Sequence, residues 1–342
     1  MKIIIRTFFL LTAIFTSSVM YSQTSDTATR TLFRSLRFDG VIKTKAETSL
    51  EAGAVRFNVR NSRLGLKGEV GKYLSYRVQI ELSNEGTLAP LDLYGTLKLA
   101  KSLSFVFGQL HVPFENGYII TPAEMMFANR AFVGKYFTPG SRDIGAVVNY
   151  RLIEGKMPVE LQSGIFNGGR INNPQWTRNP SYAARLILGA LDGFRSSLKV
   201  YRYSGEQLDV FLTGADLRYS ARHLRLEAEA MHRNSETTGL NLLGAYLQGA
   251  YSFYFSGVSM FNCLTPALRW DAMGYNALSR GLDVNRLTAG LNFGLTFIPY
   301  DSVLRIDYEQ YFLRRGLQFP DFDNRDPHVA DNKLTVELVI RF

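Results

Sequence analysis

The chain has 342 residues, of which 46% are hydrophobic, 20% charged and 13% aromatic, with a formal net charge of +9. The single cysteine, Cys263, excludes an internal disulfide and any Cys-rich zinc site. Without a dense Lys/Arg tract, nucleic acid is set aside as a partner, so the basic balance points to anionic lipid headgroups or an anionic solute. Length alone would divide the chain into about two domains, but β-barrels reach this size as one unit.

Lys2 and Arg6 precede the apolar run 8–15 and the small residues Ser17 and Ser18. A charged start, a short apolar stretch and small residues form an export signal. The run is shorter than the roughly 20 apolar residues of a membrane-spanning helix. Cleavage is expected after Ser22, taking Lys2 and Arg6 with it and lowering the net charge to +7. Residues 1–22 are then a signal peptide, 23–35 an N-terminal periplasmic segment and 36–342 a transmembrane β-barrel.

From there apolar and polar residues alternate with period two. Sixteen such segments are predicted, at 36–44, 55–68, 73–83, 90–99, 103–111, 143–152, 157–166, 181–191, 193–203, 208–220, 222–233, 241–253, 262–273, 284–298, 302–314 and 333–342. The last is the clearest: Leu334, Val336, Leu338, Ile340 and Phe342 share one face, and Lys333, Thr335, Glu337 and Arg341 the other. Alternate residues of a strand point to opposite faces, so each segment meets one apolar and one wet phase. In 55–68 the apolar parity moves between Val59 and Leu64, which predicts a bulge near Asn61-Ser62. The fold expected is an all-β, antiparallel transmembrane barrel of about sixteen strands.

Every second connection is tight, as at Glu154-Gly155-Lys156 and Asp192-Gly193, which suit hairpin turns. Those between are mostly longer, notably 112–142, 167–180, 274–283 and 315–332. Short periplasmic turns alternating with longer external loops are the membrane-barrel arrangement. The third external loop, 112–142, carries Thr121-Pro122-Ala123-Glu124 ahead of Met125-Met126-Phe127, a capping box that predicts a short helix. If this loop folds into the lumen, Glu124, Arg130, Lys135 and Arg142 are candidate constriction residues. Otherwise it covers the outside or a neighbouring subunit.

The faces opposite the apolar ones carry Arg37, Lys43, Arg56, Arg60, Arg77, Arg185, Arg195, Lys199, Arg218, Arg225, Arg269 and Arg305. Such a wall concentrates anions, because a low-dielectric barrel focuses the field. Glu81, Asp216, Glu227, Glu229, Asp271, Asp307, Glu309 and Glu337 share those faces, so a balanced, ion-paired wall is the competing expectation. The four histidines, His111, His223, His232 and His328, stand in no metal-ligand spacing, and no nucleophile or phosphate-loop motif occurs. Neither an enzyme nor a cofactor is expected.

Several motifs resemble the phosphate-selective porin O and P family. They include Arg63-Leu64-Gly65-Leu66-Lys67-Gly68, Asp92-Leu93-Tyr94, Phe107-Gly108-Gln109, Phe127-Ala128-Asn129-Arg130-Ala131-Phe132, Arg142-Asp143-Ile144-Gly145-Ala146 and Gly164-Ile165-Phe166-Asn167-Gly168. Together they span most of the mature chain. The final Phe342 is similar to the terminal aromatic read by the outer-membrane barrel assembly machinery. The resemblance implies a homotrimeric anion channel in the outer membrane of a Gram-negative bacterium, held in outer-membrane lipid and passing small anions, phosphate among them. The function expected is a water-filled porin for small polar solutes, and the alternative is a structural or adhesion barrel without a conducting pore.

Overall fold

The computed structural model describes residues 33–342 except 85, 115, 117–119, 121–123, 206–207, 256–259, 299 and 315–326. The expected signal peptide and residues 23–32 after it lie outside the described residues. Seventeen strand segments run in chain order. They are β1 (Phe33–Ser49), β2 (Val55–Val70), β3 (Leu74–Asn84), β4 (Thr87–Lys98), β5 (Leu103–His111), β6 (Arg142–Ile153), β7 (Val159–Phe166) and β8 (Ser181–Gly189). Then follow β9 (Gly193–Ser204), β10 (Asp209–Ser220), β11 (Leu224–Ser235), β12 (Asn241–Tyr251), β13 (Phe253–Tyr254), β14 (Cys263–Tyr275), β15 (Val284–Gly294), β16 (Val303–Leu313) and β17 (Lys333–Arg341). The two residues of β13 continue β12 past Ser252, and both pair with β14, so the wall has sixteen strand positions.

Each strand pairs antiparallel with its neighbours in the chain, and β17 closes on β1 from Val41↔Arg341 to Ser49↔Lys333. Closure removes the free sheet edge, so the strands meet their backbone polar groups in one another and not in water. Sequence and structure differ most at β1, which continues to Ser49, and at β15, which stops at Gly294.

The alternation is physical. In β17 Lys333, Thr335, Glu337 and Val339 are buried in the interior, while Leu334, Val336, Leu338 and Ile340 face outward, each about two-fifths exposed. Outward apolar side chains recur all round the barrel, which needs lipid on that face. The expected bulge stands where the parity shift put it: Asn61 has φ +58° and the β2–β3 register slips on either side of Ser62.

Five of the seven connections at one end, here the turn end, are of five residues or fewer, and the longest connections, 112–141, 167–180 and 314–332, sit at the other, the loop end. At the Asp192-Gly193 turn Gly193 takes φ +102°, open to glycine at little cost. The predicted helix at Thr121-Pro122-Ala123-Glu124 lies largely outside the described residues. Of the residues around it, Glu124 has a helical backbone and Met125 to Phe127 do not, and among the described residues the longest helical turn of this loop is α1 (Val133–Tyr136). Met126 and Phe127 pack inward as a buried apolar surface. A second four-residue turn, α2 (Ala277–Arg280), lies between β14 and β15.

Candidate pore

The loop between β5 and β6 lies inside the barrel, and the wall it rests on accounts for this. On β9–β15 the inward positions near the loop end are apolar: Tyr201, Tyr203, Val210, Leu212, Met231, Leu242, Met273 and Val284 are all buried. They form one cluster with Phe114, Phe132, Val133 and Phe137 of the loop. Each such ring buried supplies roughly 1.5–3 kcal/mol. Nearer the turn end Met126 and Phe127 pack with Ala250, Ala267 and Tyr300. There the Glu124 carboxylate stands 3.6 Å from Arg341, so the loop reaches through the lumen to the turn end.

Charged side chains of the wall then hold its backbone. Arg225 donates to the Glu124 carbonyl at 2.7 Å, Arg305 to Met125 at 2.6 Å, Arg269 to Asn129 at 2.9 Å and Arg286 to Arg130 at 2.7 Å. Arg233 donates to the carbonyls of Tyr136 and Phe137 at 3.1 and 3.2 Å. In the other direction the amides of Asn116, Ala128 and Phe132 donate to Glu229, Asp307 and Asp271 at 3.2, 2.6 and 2.8 Å. A non-helical segment is tolerated at membrane depth only where its backbone groups are met in this way. Hydrogen bonds to charged partners contribute about 1.5–3 kcal/mol each, so the loop is a fixed partition.

The same arginines are paired along the wall. Arg305 and Lys43 hold Glu337 at 2.6 and 3.0 Å, Arg286 joins Asp271 and Glu309 at 2.8 and 3.0 Å, and Arg225 and Arg218 hold Glu227 at 2.7 and 3.2 Å. Arg185, Arg195 and Lys199 surround Asp216 at 2.8, 3.2 and 3.1 Å, and Lys199 also contacts Glu229. Arg269 lies 3.5 Å from Asp271, with its guanidinium 4.6 Å from the Phe127 ring centre. This half of the wall is ion-paired and covered by the loop.

The open space lies on the other side, against β1–β4 and β17. Towards the loop end a cavity of about 250 Å³ is lined by Lys45, Arg60, Arg130, Lys135 and Lys333, with Glu47 and Glu337. Arg56 reaches it half-exposed, 2.8 Å from Glu47. Towards the turn end a second cavity, about 440 Å³, is lined by Arg37, Lys67, Glu69 and Arg77. Arg77 grips Asp39 through two hydrogen bonds of 2.5 and 2.8 Å. Between the two stand the buried pairs Arg63–Glu81 at 3.4 Å and Arg142–Asp92 at 2.6 Å.

The structure therefore divides the candidate residues. Arg130 and Lys135 lie on the loop against the loop-end cavity, whereas Glu124 sits near the turn end with a carboxylate towards Arg341. Arg142 is the first residue of β6 and belongs to the wall, not the loop, because Asp92 of β4 holds it there. Arg37, Arg56, Arg60 and Arg77 border open space, Lys43 is buried against Glu337, and Arg185, Arg195, Lys199, Arg218, Arg225, Arg269 and Arg305 lie in the paired half. Sequence reasoning missed Arg286 and Arg233, although both share the parity of inward neighbours, Thr288 and Glu229. It also missed Lys45, which extends the face of Lys43, and it placed Lys333 on the wet face of the last strand without counting it among the lining bases.

No family model matches the chain, and no curated protein sequence matches it. Solved structures do, at low identity. OmpT of Vibrio cholerae, an outer membrane protein in its trimer form, is 11% identical over 90% of this chain and 99% of that one, with a TM-score of 0.59. The outer membrane channel DcaP of Acinetobacter baumannii is 14% identical over 90% and 97%, with a TM-score of 0.62. An anion-selective porin from Comamonas acidovorans is 12% identical over 90% and 98%, at 0.61. The fold is that of the outer-membrane porins.

Proposed function

We propose that this chain is an outer-membrane porin for passive diffusion of small polar solutes, with a modest preference for anions. One observation carries the reading: beside the inward loop two cavities lined mainly by bases lie along β1–β4 and β17, one towards each end of the barrel, and the passage proposed runs along them. Bases outnumber acids in the loop-end lining, which favours anions there. The ion-paired half of the wall holds the loop and adds little to the field. The anion-selective porin of the same fold and the sequence likeness to the phosphate-selective porin O and P family support an anionic solute, and the trimer form of OmpT supports a homotrimer. The test is conductance in a planar bilayer with a salt gradient. A reversal potential on the chloride side is expected, and a barrel that passes no current would leave a structural role in its place.

The orientation proposed puts the turn end in the periplasm and residues 1–22 as the export signal. An epitope in 167–180 should then be labelled on intact cells and one at Asp192 should not. Equal labelling of both would reverse or dissolve this topology.

Assembly is proposed to be read at Phe342. Its backbone exchanges hydrogen bonds with Gly40 at 2.8 and 3.1 Å, and its ring lies where a Gly40 side chain would be. Deleting Phe342 should lower the amount of heat-modifiable barrel in the membrane, and Gly40→Val should do the same by displacing the ring from the β1–β17 seam. Wild-type levels in both would make Phe342 one more lipid-facing residue.

A further inference from the structure

The loop-end cavity has two unlike walls. Arg60 of β2, Lys135 of the loop and Lys333 of β17 bring positive charge to it. The rings of Phe132, Tyr136 and Tyr311 line the same space. The two sets are interleaved: the Lys135 ammonium stands 4.8 Å from the Tyr136 ring centre and that of Lys333 stands 5.6 Å from Tyr311. Diffusion of hydrated inorganic ions needs no aromatic surface at that point.

We propose that this cavity is a subsite for an amphipathic organic monoanion, a carboxylate carried on an aromatic or apolar body, which rests there on its way through. The proposal deepens the channel reading by naming a solute class. Two carboxylates share the cavity, and they decide against a compact dianion. Glu47 lies 2.7 Å from Lys45 and 2.8 Å from Arg56, and Glu337 takes up Lys43 and Arg305. Inorganic phosphate needs several donors converging on one point with no carboxylate beside them, and here part of the positive field is already neutralised. A monoanion is repelled less, and its ring recovers free energy by leaving water against the partly exposed rings of Tyr136 and Tyr311. At about 250 Å³ the space lies near the lower end of the roughly 300–1,000 Å³ of small-molecule pockets, the size for one small organic anion.

The test uses the full barrel in planar bilayers carrying chloride current, with benzoate, acetate and inorganic phosphate added in turn, and titration calorimetry of benzoate on the detergent-folded barrel. Benzoate should half-block the current at about one-tenth the concentration that acetate or phosphate needs, since burying one ring face is worth a factor of this order. Tyr136→Ser should bring the benzoate value towards that of acetate and leave acetate where it was. Lys135→Gln should weaken both. Benzoate and acetate blocking alike, or a Tyr136→Ser barrel indistinguishable from wild type, overturns the subsite while the channel stands. A barrel that passes no current yet binds benzoate upholds the subsite and overturns the channel, and one that does neither overturns both.

Discussion

Arg286→Ala should both loosen the third loop and destabilise the barrel. Arg286 is the central fastening of the interior: it contacts Asp271, Glu309 and the Tyr311 hydroxyl and donates to the Arg130 carbonyl. Its guanidinium also lies 4.6 Å from the Phe132 ring centre. Removing it leaves two buried carboxylates with Arg269 as the nearest base, at 3.5 and 3.6 Å. Breaking a buried pair from one side costs about 3–5 kcal/mol. The heat-modifiability transition should move to lower temperature, and single-channel conductance should rise as the loop leaves its seat. Arg286→Lys should fall between, because an ammonium keeps the charge but not the planar fork that reaches four acceptors at once. Wild-type conductance with wild-type stability in Arg286→Ala would mean that the aromatic cluster alone holds the loop.

Arg130→Ala combined with Lys135→Ala should lower the chloride-to-potassium permeability ratio more than Arg225→Ala does. The two loop residues border the open loop-end cavity, where little water remains to screen them. Arg225 is buried in the paired half, 2.7 Å from Glu227, with its guanidinium 5.2 Å from the Tyr300 ring centre. It shares Glu227 with Arg218, which still pairs that carboxylate once Arg225 is lost. The reversal potential in a salt gradient reports the ratio, and a fall of roughly twofold or more is expected for the double variant, the size of a local change of two charges under partial screening. An unchanged potential would place the ion path away from this cavity and move selectivity to Arg37 and Arg77 at the turn end.

The barrel wall was legible in the sequence because its cause is local. Lipid on one side and a wet or packed interior on the other act on every strand, so two-residue alternation is written into each segment separately. For the same reason the bulge at Asn61-Ser62 and the turn at Asp192-Gly193 could be placed from their own residues. The path of the third loop has no such local cause. Arg60 and Arg305 look alike in sequence, each a base on an inward face, yet one borders open space and the other is buried under Met125. What separates them is the seating of Ala128 on Asp307, 179 residues away, and of Phe132 on Asp271, 139 residues away. Met126 and Phe127 show the same limit, since their path follows the apolar wall of Ala250, Ala267 and Tyr300 that receives them. The sequence by itself determined a closed, alternating wall rich in inward charge. Only the tertiary structure decided which of those charges hold the loop and which face the passage, because that depends on contacts between segments that no periodicity links.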